Sequence, residues 1–387
     1  MPPSSNKPQS DWDPRSGAVL ANQIAAYDAM RGRCPVAYSD YLGWSLLRHD
    51  DVVRVLDDHD TFSSAVSRHL SVPSGIDQPQ HTAHRRLVER HFEPARLAGF
   101  EPQCRAISAE LIVGMEKGAE IDFVTHLARP FAVRVQCAYL GWPSTLHEPL
   151  LRWVRRNHEA TLARDSEAMA AVALEFDGYI ADLLDARRAA GAAAPDDVTT
   201  DLLRQEIDGR PLGHDEMVSI LRNWTVGELG TIAACVGILA HYLAATPLVQ
   251  RQIRDDPRLL PAAIDEILRM HAPLIPNRRV TTRPVEIGGR RIEAGERITL
   301  IWASANRDEE MFGNPDEFRL DRDPAANLLY GRGIHVCPGA ELSRLELKVV
   351  VEELLASTGW IDPVPGRQPT LAIYPASGYS ALHLILS

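Results

Sequence analysis

The sequence predicts a mainly α-helical protein with a small β region, folded as one large domain. Most of the 387-residue chain shows apolar residues at helical spacing, whereas strand signals are confined to two zones. Neither an internal repeat nor a long linker divides the chain, and 45% hydrophobic residues are enough for a core. Residues 1–16 are polar and are expected to form a disordered tail, so the predicted domain is 17–387.

Helical spacing is clearest in five segments. They are 50–59, 87–92, 175–190, 214–245 and 261–271. The longest, 214–245, stops before Pro247, because proline cannot continue a helix.

The two β zones are short. One is 44–48, and the other is 280–302, which predicts a hairpin turning at Gly288-Gly289 and then a β-rich stretch. The Ala/Gly-rich segment 189–197 is predicted to be a surface loop between helices.

Composition excludes several classes of protein. A formal charge of −11 disfavours nucleic acid or anionic lipid as the main partner. The five cysteines are far apart and form no CxxC pair, which argues against a zinc site or a disulfide framework. The N-terminus has no apolar signal region, and the most apolar run, 229–240, is shorter than the roughly 18 residues of a membrane span. We therefore expect a cytoplasmic protein.

The segment "YGRGIHVCPG" at 330–339 places one cysteine in a glycine-rich loop. Its glycines permit a close approach of the backbone to something flat and bulky. Pro338 suits the first position of the helix predicted to follow, so Cys337 would lie at a helix N-terminus, where a thiolate is favoured. Such a thiolate ligates a metal or attacks an electrophile. The alternative is a buried structural cysteine.

This segment resembles the haem-binding signature of the cytochrome P450 family, F-G-x-G-x-H-x-C-x-G, with Tyr330 in place of phenylalanine. The resemblance implies the P450 fold, a triangular prism-like helical domain with minor β-sheets. It also implies haem b as cofactor, with Cys337 as the axial ligand of the iron. Tyr330, Gly331 and Gly339 would contact the porphyrin.

Further matches follow in the order of the family. Glu266 and Arg269 form an E-x-x-R pair, and "FGNPDEFRLDR" (312–322) is similar to the meander, whose Arg322 would complete a structural network with that pair. "DQPQHTAHRR" (77–86) is similar to D-P-P-x-H-x-x-x-R-R. The family resemblance implies that four residues bind the haem propionates: His81, Arg85, Arg279 and His335. Each alone is equally consistent with a solvated charge.

The central helix departs from the family pattern. It carries "VGELGTIAA" (226–234), so that if Thr231 is the oxygen-site threonine, Gly230 precedes it and the acid stands at Glu228. Residues 228 and 231 share a helical face. Three interpretations stay open: Glu228 pairs with a surface cation, it delivers protons together with Thr231, or it acts as acid–base in the heterolysis of hydrogen peroxide.

The segment 65–76, which roofs the pocket in the family, is short and suggests a compact site for a small substrate. The residues expected by family topology to line this site are mostly apolar. They are Leu70, Val72, Val226, Gly227, Leu274, Ile275 and Tyr379.

The resemblance implies a monooxygenase that hydroxylates or oxidatively O- or N-dealkylates a small, largely apolar or aromatic molecule. No reductase is expected in this chain, so electrons would come from a ferredoxin-type donor with an NAD(P)H reductase, docking on Arg85, Arg86, Arg90 and Arg332. A peroxygenase driven by hydrogen peroxide is the second hypothesis. A non-catalytic haem-binding sensor is the third, and Thr231 argues against it.

Overall fold

The structure is a computed structural model that describes residues 8–67 and 69–387. Residues 1–7, the first part of the expected tail, lie outside the described residues, as does Arg68. The second part of that tail has no helix or strand but is packed on the domain. The Asp11 carboxylate accepts a hydrogen bond from the Tyr38 backbone N–H (2.7 Å), and the Trp12 ring lies edge-on to Tyr27. Residues 11 and 12 are therefore held on the domain, and the disordered tail over 1–16 stays a prediction.

Helices make up most of the fold. They are α1 (Gly17–Ala21), α2 (Gln23–Arg33), α3 (His49–Asp57), α4 (Gln80–Glu89), α5 (Pro94–Val113), α6 (Arg129–Leu140), α7 (His147–Ala163), α8 (Ser166–Ala190), α9 (Val198–Leu202), α10 (His214–Ala245), α11 (Pro247–Asp255), α12 (Leu260–His271), α13 (Trp302–Ala305), α14 (Glu309–Phe312) and α15 (Ala340–Ser357).

The strands are short and lie mainly in the N-terminal and late parts of the chain. They are β1 (Val36–Ser39), β2 (Gly43–Leu46), β3 (Phe62–Ser63), β4 (Glu120–Asp122), β5 (Glu206–Ile207), β6 (Arg210–Pro211), β7 (Pro276–Thr281), β8 (Val285–Ile287), β9 (Arg290–Ile292), β10 (Arg297–Ile301), β11 (Ile361–Pro363), β12 (Thr370–Leu371), β13 (Tyr379–Ala381) and β14 (His383–Leu386). The largest sheet has the order β1-β2-β10-β7-β3, in which β10 pairs with β2 in parallel.

The predicted fold class, mainly α with a small β region, is confirmed. Helix α10 has the predicted bounds, and β8 and β9 form the predicted hairpin around Gly288 and Gly289, both at positive φ. The predicted helix 87–92 instead spans the end of α4 and a 3₁₀ turn. Helices α5 to α7 lie outside the five predicted segments, and α5 even contains Pro102.

Local sequence signals set the helix ends. The Asp165 side chain caps α8 by accepting hydrogen bonds from the N–H groups of Glu167 and Ala168. The Glu216 carboxylate accepts from the Gly213 N–H (2.8 Å) at the start of α10, and Gly141 ends α6 in the left-handed conformation (φ +74°).

Helix α10 is the centre of the molecule. It packs against α6, α8, α12 and α15, and most of its buried apolar residues belong to the largest of three apolar clusters. By length and composition it resembles a membrane span, but 56% of its most apolar window is buried within the fold, as in the core helix of a globular protein. A second cluster packs on the five-stranded sheet, and a third joins α2 to it.

Candidate functional site

A cavity of about 300 Å³ lies between α10, α4, the segment after α12 and the cysteine loop. Most residues that the sequence singles out for chemistry lie on its wall. They are His81, Arg85, Gly227, Glu228, Thr231, Leu274, Arg279, Tyr330, Gly331, His335, Cys337 and Gly339.

The cysteine loop is held by close backbone contacts. Gly331 and Gly333 have φ of +74° and +73°, and a Cβ there would lie 2.7 Å from the Trp302 ring and 2.4 Å from the Leu56 carbonyl oxygen, respectively. Both positions therefore require glycine. The Cys337 N–H donates to the Tyr330 carbonyl (2.8 Å), which closes the loop below the cavity.

Cys337 lies just before a helix rather than on its first turn. Helix α15 begins at Ala340, so the prediction that Pro338 occupies the first helical position is wrong by two residues; an Ala340 N–H to Cys337 carbonyl bond (3.4 Å) forms the connecting turn. Burial raises the pKa of the Cys337 thiol to about 11, although a hydrogen bond from the Gly339 backbone lowers it. Coordination to a metal cation is the interaction that converts such a thiol to thiolate.

Beside the loop lies a group of largely buried nitrogen donors that have few hydrogen-bond partners among the described residues. The rings of His81 and His335 are 4.3 Å apart, and both nitrogens of His81 and Nε2 of His335 have no hydrogen-bond partner among the described residues. Arg279 is 5% exposed, and among the described residues its guanidinium donates only to the Asn277 side chain (3.4 Å) and the Arg278 carbonyl (2.7 Å). Burial lowers the pKa of Arg279 to about 10 and that of His335 to about 3. Such unsatisfied groups fit an anionic ligand.

Arg85 is placed differently from these three residues. Its guanidinium donates to the Val336 carbonyl and to the Glu89 carboxylate (2.7 Å). It therefore joins α4 to the cysteine loop and already has a counter-charge.

The predicted structural network is present behind the cavity. The Arg269 guanidinium donates twice to the Glu266 carboxylate (2.7 and 3.0 Å), and Arg322 donates to the same carboxylate (2.9 Å). Arg322 also donates to three backbone carbonyls of the 312–317 segment, and Arg344 lies over the Tyr330 ring at 4.4 Å. The network therefore joins α12 to the 312–322 segment, and none of its three residues lies on the cavity wall.

Glu228 does not pair with a surface cation, so that interpretation is wrong. It is 9% exposed, lies on the cavity wall one turn before Thr231, and makes no salt bridge with a described residue. Its carboxyl instead meets Glu346 of α15, a residue that the sequence analysis missed. The available signal was a charged residue on the apolar stripe formed by Leu342, Val349 and Val350.

Of the predicted substrate-lining residues, only Gly227 and Leu274 lie on this wall. Leu70 and Val226 are 44% and 43% exposed, whereas Val72 and Ile275 are buried in the apolar clusters. The remaining residue, Tyr379, is bonded to His241 Nδ1 (2.8 Å) and packs near Gly237. These five positions depend on how segments pack in three dimensions, which family topology approximates only coarsely.

Comparisons with known proteins agree with this geometry. A family model described as Cytochrome P450 matches residues 248–369. The putative cytochrome P450 YjiB of Bacillus subtilis (strain 168) is 30% identical over 343 residues, which cover 86% of each chain. The erythromycin C-12 hydroxylase of Saccharopolyspora erythraea is 31% identical over 354 residues, covering 88% of this chain and 89% of the relative. A solved structure of a mutant of P450 EryK from S. erythraea with erythromycin B superposes with a TM-score of 0.86 at 29% identity, covering 95% and 97%.

Proposed function

Because the chain belongs to the cytochrome P450 family of haem monooxygenases, we propose that it inserts one oxygen atom from O2 into a small, largely apolar or aromatic substrate. The proposed reaction is hydroxylation or oxidative O- or N-dealkylation. The observation that supports it best is one cavity that combines a half-buried thiol, a cluster of unsatisfied donors and a partly apolar wall.

The residues of the cavity fit haem b. Cys337 would ligate the iron, His81, Arg279 and His335 would hold the propionates, and Tyr330 with Gly331 would lie against the ring. When bound, haem iron supplies the activation of O2 for insertion into a C–H bond. The protein positions the substrate, excludes water and holds protons near Thr231.

A low roof supports a compact substrate site. The turn containing Pro73 and Ser74 lies on the cavity wall, and its backbone is tied to α10. The Val72 N–H donates to the Ser219 hydroxyl (2.8 Å), and the Asn223 amide donates to the Val72 carbonyl (3.0 Å). A roof held to α10 through both backbone groups of Val72 supports the proposal of a compact substrate.

Members of this family in bacteria take electrons from redox partners. We propose a ferredoxin-type donor with an NAD(P)H reductase, and a cytoplasmic location for the reaction. Four arginines were expected to dock the ferredoxin-type donor. Arg86 and Arg90 are exposed and form no ion pair with a described residue. Arg85 instead pairs with Glu89, and Arg332 pairs with Asp57. Arg86 and Arg90 are therefore the stronger candidates for attracting an acidic electron carrier.

The proposal is tested with ¹⁸O2. Purified protein is first screened for small aromatic and apolar compounds that shift the spin state of the haem. A binding compound is then turned over with a ferredoxin, its reductase and NAD(P)H under ¹⁸O2. We expect one labelled oxygen atom per hydroxylated product. Product without label, or no oxygenated product from any binding compound, would contradict the proposal.

A second candidate function, an H2O2-driven peroxygenase, is favoured by one observation: a buried carboxyl, that of Glu228, lies on the cavity wall beside Thr231. Turnover of the same compound with hydrogen peroxide alone separates the two candidates. A rate with peroxide at or above that of the ferredoxin system would favour the peroxygenase.

The propionate assignment predicts a loss of haem retention in Arg279→Gln. Charged hydrogen bonds of this kind contribute about 1.5–3 kcal/mol, so we expect haem to dissociate roughly 10-fold faster or more. Transfer of haem to an excess of an apo-globin measures the rate. Arg90→Gln, at an exposed position, is the matched control and should leave the rate unchanged. Equal rates in both variants would show that Arg279 holds no propionate.

A further inference from the structure

Four arginines from distant parts of the chain gather around two tyrosines outside the cavity. They are Arg15, which precedes α1, Arg164, which lies between α7 and α8, Arg278 of β7 and Arg297 of β10. The tyrosines, Tyr41 and Tyr374, are buried, and their rings lie edge to face with centres 5.5 Å apart. None of the four arginines lies on the cavity wall, so this arginine cluster is separate from the site described above.

Contacts with the two tyrosines position three of the guanidiniums. The guanidinium carbons of Arg15 and Arg164 lie 4.6 and 5.4 Å from the centre of the Tyr41 ring. The Arg278 guanidinium donates a hydrogen bond to the Tyr374 hydroxyl (2.9 Å). A cation over an aromatic ring is attracted by its electrons, so the tyrosines hold these guanidiniums close together.

The register of the five-stranded sheet brings the fourth arginine to the same face. Arg297 of β10 pairs with Val280 of β7. Val280 and Arg278 are two residues apart and share a face of the strand, so Arg278 and Arg297 are diagonal neighbours. Arg279, the residue between them on β7, belongs to the opposite face and lies on the cavity wall. Strand β7 thus lies between the arginine cluster and the cavity.

The arginine cluster has no counter-charge among the described residues. None of its four guanidiniums forms an ion pair with a described residue, although the chain carries 52 Asp and Glu against 41 Lys and Arg. Two acids close in sequence bond elsewhere: the Asp13 carboxylate accepts from the Arg15 backbone N–H (2.9 Å), and Asp165 caps α8. Asp40, next to Tyr41, is exposed and pairs with none of the four arginines.

Like charges at such spacing repel one another unless an anion lies between them. Partial burial, together with the charges of Arg278 and Arg164, lowers the pKa of the Arg297 guanidinium. The Tyr374 hydroxyl accepts from Arg278, but its own proton has no acceptor among the described residues, and this tyrosine is 3% exposed. Guanidinium and phenol donors without acceptors fit an anionic ligand.

Arg164 occupies a backbone position that favours glycine. It ends α7 in the left-handed conformation (φ +56°), as Gly141 ends α6 (φ +74°). A residue with a Cβ is disfavoured there. The contact with the Tyr41 ring leaves the N–H groups of the Arg164 guanidinium without an acceptor among the described residues. A ligand of this guanidinium accounts for an arginine at the end of α7.

We propose that the arginine cluster binds a phosphate group, either inorganic phosphate or the phosphate monoester of a small molecule. A phosphate carries close to two negative charges, and its oxygens match the planar guanidiniums, which donate two N–H bonds each. A carboxylate has one charge and two oxygens, and would leave most of the four guanidiniums without a partner. The net charge of −11 disfavours a polyanion such as nucleic acid as the source of the phosphate.

The bound phosphate joins the connection between α7 and α8 to the five-stranded sheet. Arg164 contacts it from the connection, and the two strand arginines contact it from the sheet. Helix α7 packs near α10, since a Cβ at Gly230 would lie 3.6 Å from His158 Nε2. Gly230 directly precedes Thr231 of the cavity wall. Phosphate binding therefore restrains the end of a helix that packs beside the cavity.

Equilibrium dialysis of the holoenzyme against radiolabelled inorganic phosphate, at constant ionic strength, tests the site. We expect saturable binding of one phosphate per chain. The double variant Arg278→Gln, Arg297→Gln removes both strand charges and should weaken binding at least about 10-fold, because charge-assisted hydrogen bonds are the strong ones. Arg291→Gln, in an exposed pair with Glu293, is the matched control and should bind phosphate as the wild type does.

A second double variant, Arg15→Gln with Arg164→Gly, removes the two charges over the Tyr41 ring and should weaken binding by the same order. Glycine suits the left-handed backbone at position 164, so the end of α7 is kept. Absence of saturable binding in the wild type, or wild-type affinity in either double variant, would overturn the proposal. Phosphate held instead by the donors of the cavity would give wild-type affinity in both, so the result does not depend on the haem assignment.

Competition identifies what carries the phosphate. Phenyl phosphate that displaces the label at a lower concentration than inorganic phosphate would assign the site to phosphate monoesters. Displacement at an equal or higher concentration would assign it to the free anion. Acetate at the same ionic strength should displace the label at least about 10-fold less well. Acetate as effective as phosphate would contradict the assignment to a phosphate group.

Hydrogen exchange tests the bridge between the helices and the sheet. Saturating inorganic phosphate is expected to slow amide exchange over residues 161–166 of the wild type, because the connection is then held to the sheet. The same addition should have no effect in the double variant Arg278→Gln, Arg297→Gln. Exchange that phosphate leaves unchanged in the wild type would rule out the bridge.

Discussion

Replacement of Cys337 by alanine is expected to abolish turnover and to remove the thiolate-type Soret band of the reduced, carbon monoxide-bound protein. The expected loss of activity is complete to the limit of detection, because Cys337 would supply the thiolate ligand whose electron donation lets bound haem cleave the O–O bond. The loop itself should persist, since the Cys337 N–H to Tyr330 carbonyl bond involves only backbone atoms. The difference spectrum and the product yield are measured on the same preparation.

The chain offers a matched control for this experiment. Cys235 of α10 also lies on the cavity wall, one turn beyond Thr231, but it comes from the middle of a helix rather than from the glycine-rich loop. Burial raises the pKa of its thiol well above the ordinary value, and the charge of Glu228 raises it further. Cys235→Ala should keep the Soret band. A band lost in Cys235→Ala and kept in Cys337→Ala would reverse the assignment of the ligand.

The cysteine loop and its anchors are the part of the site that sequence predicts best. Their chemistry depends on fixed local spacing: Gly331 and Gly333 are required by their own φ angles, and Glu266 and Arg269 meet because they are three residues apart on one helix. Even here, α15 begins two residues later than predicted, because Cys337 to Gly339 form a separate turn before the helix.

The other parts of the site, which the sequence does not predict, depend on which helix faces pack against each other. That Glu228 points to α15 and meets Glu346 is decided by how α10 crosses α15, and no local pattern in either segment encodes that crossing. The roof is similar, since Val72 is buried through its bonds to Ser219 and Asn223, residues about 150 positions away. The contact between Tyr379 and His241, which keeps Tyr379 off the cavity wall, also depends on how distant segments pack. Spacing predicts neighbours within an element, whereas packing selects neighbours between elements.

Arg269→Met is expected to lower the free energy of unfolding more than the substitutions at Cys337 or Arg279 do. Arg269 is 1% exposed and donates to Glu266 and to the carbonyls of Asn306 (2.7 Å) and Pro315 (2.9 Å). Methionine fills part of the space but leaves the Glu266 carboxylate with Arg322 as its remaining charged partner. Removal of one partner of a buried ion pair costs about 3–5 kcal/mol. Urea unfolding of both proteins measures the difference.

An exposed pair serves as the control for this loss. Arg319 pairs with Asp321 on the same segment as Arg322, with both side chains solvent-accessible, so Arg319→Gln should change stability by less than about 0.5 kcal/mol. The effect of Arg269→Met should also reach the cavity. Asn306, whose carbonyl accepts from Arg269, uses its side chain to accept from the Leu328 N–H (2.8 Å), two residues before Tyr330. We therefore expect haem retention to fall with stability in Arg269→Met. A stability loss below about 1 kcal/mol with unchanged haem retention would show that the buried charges do not hold the loop in place.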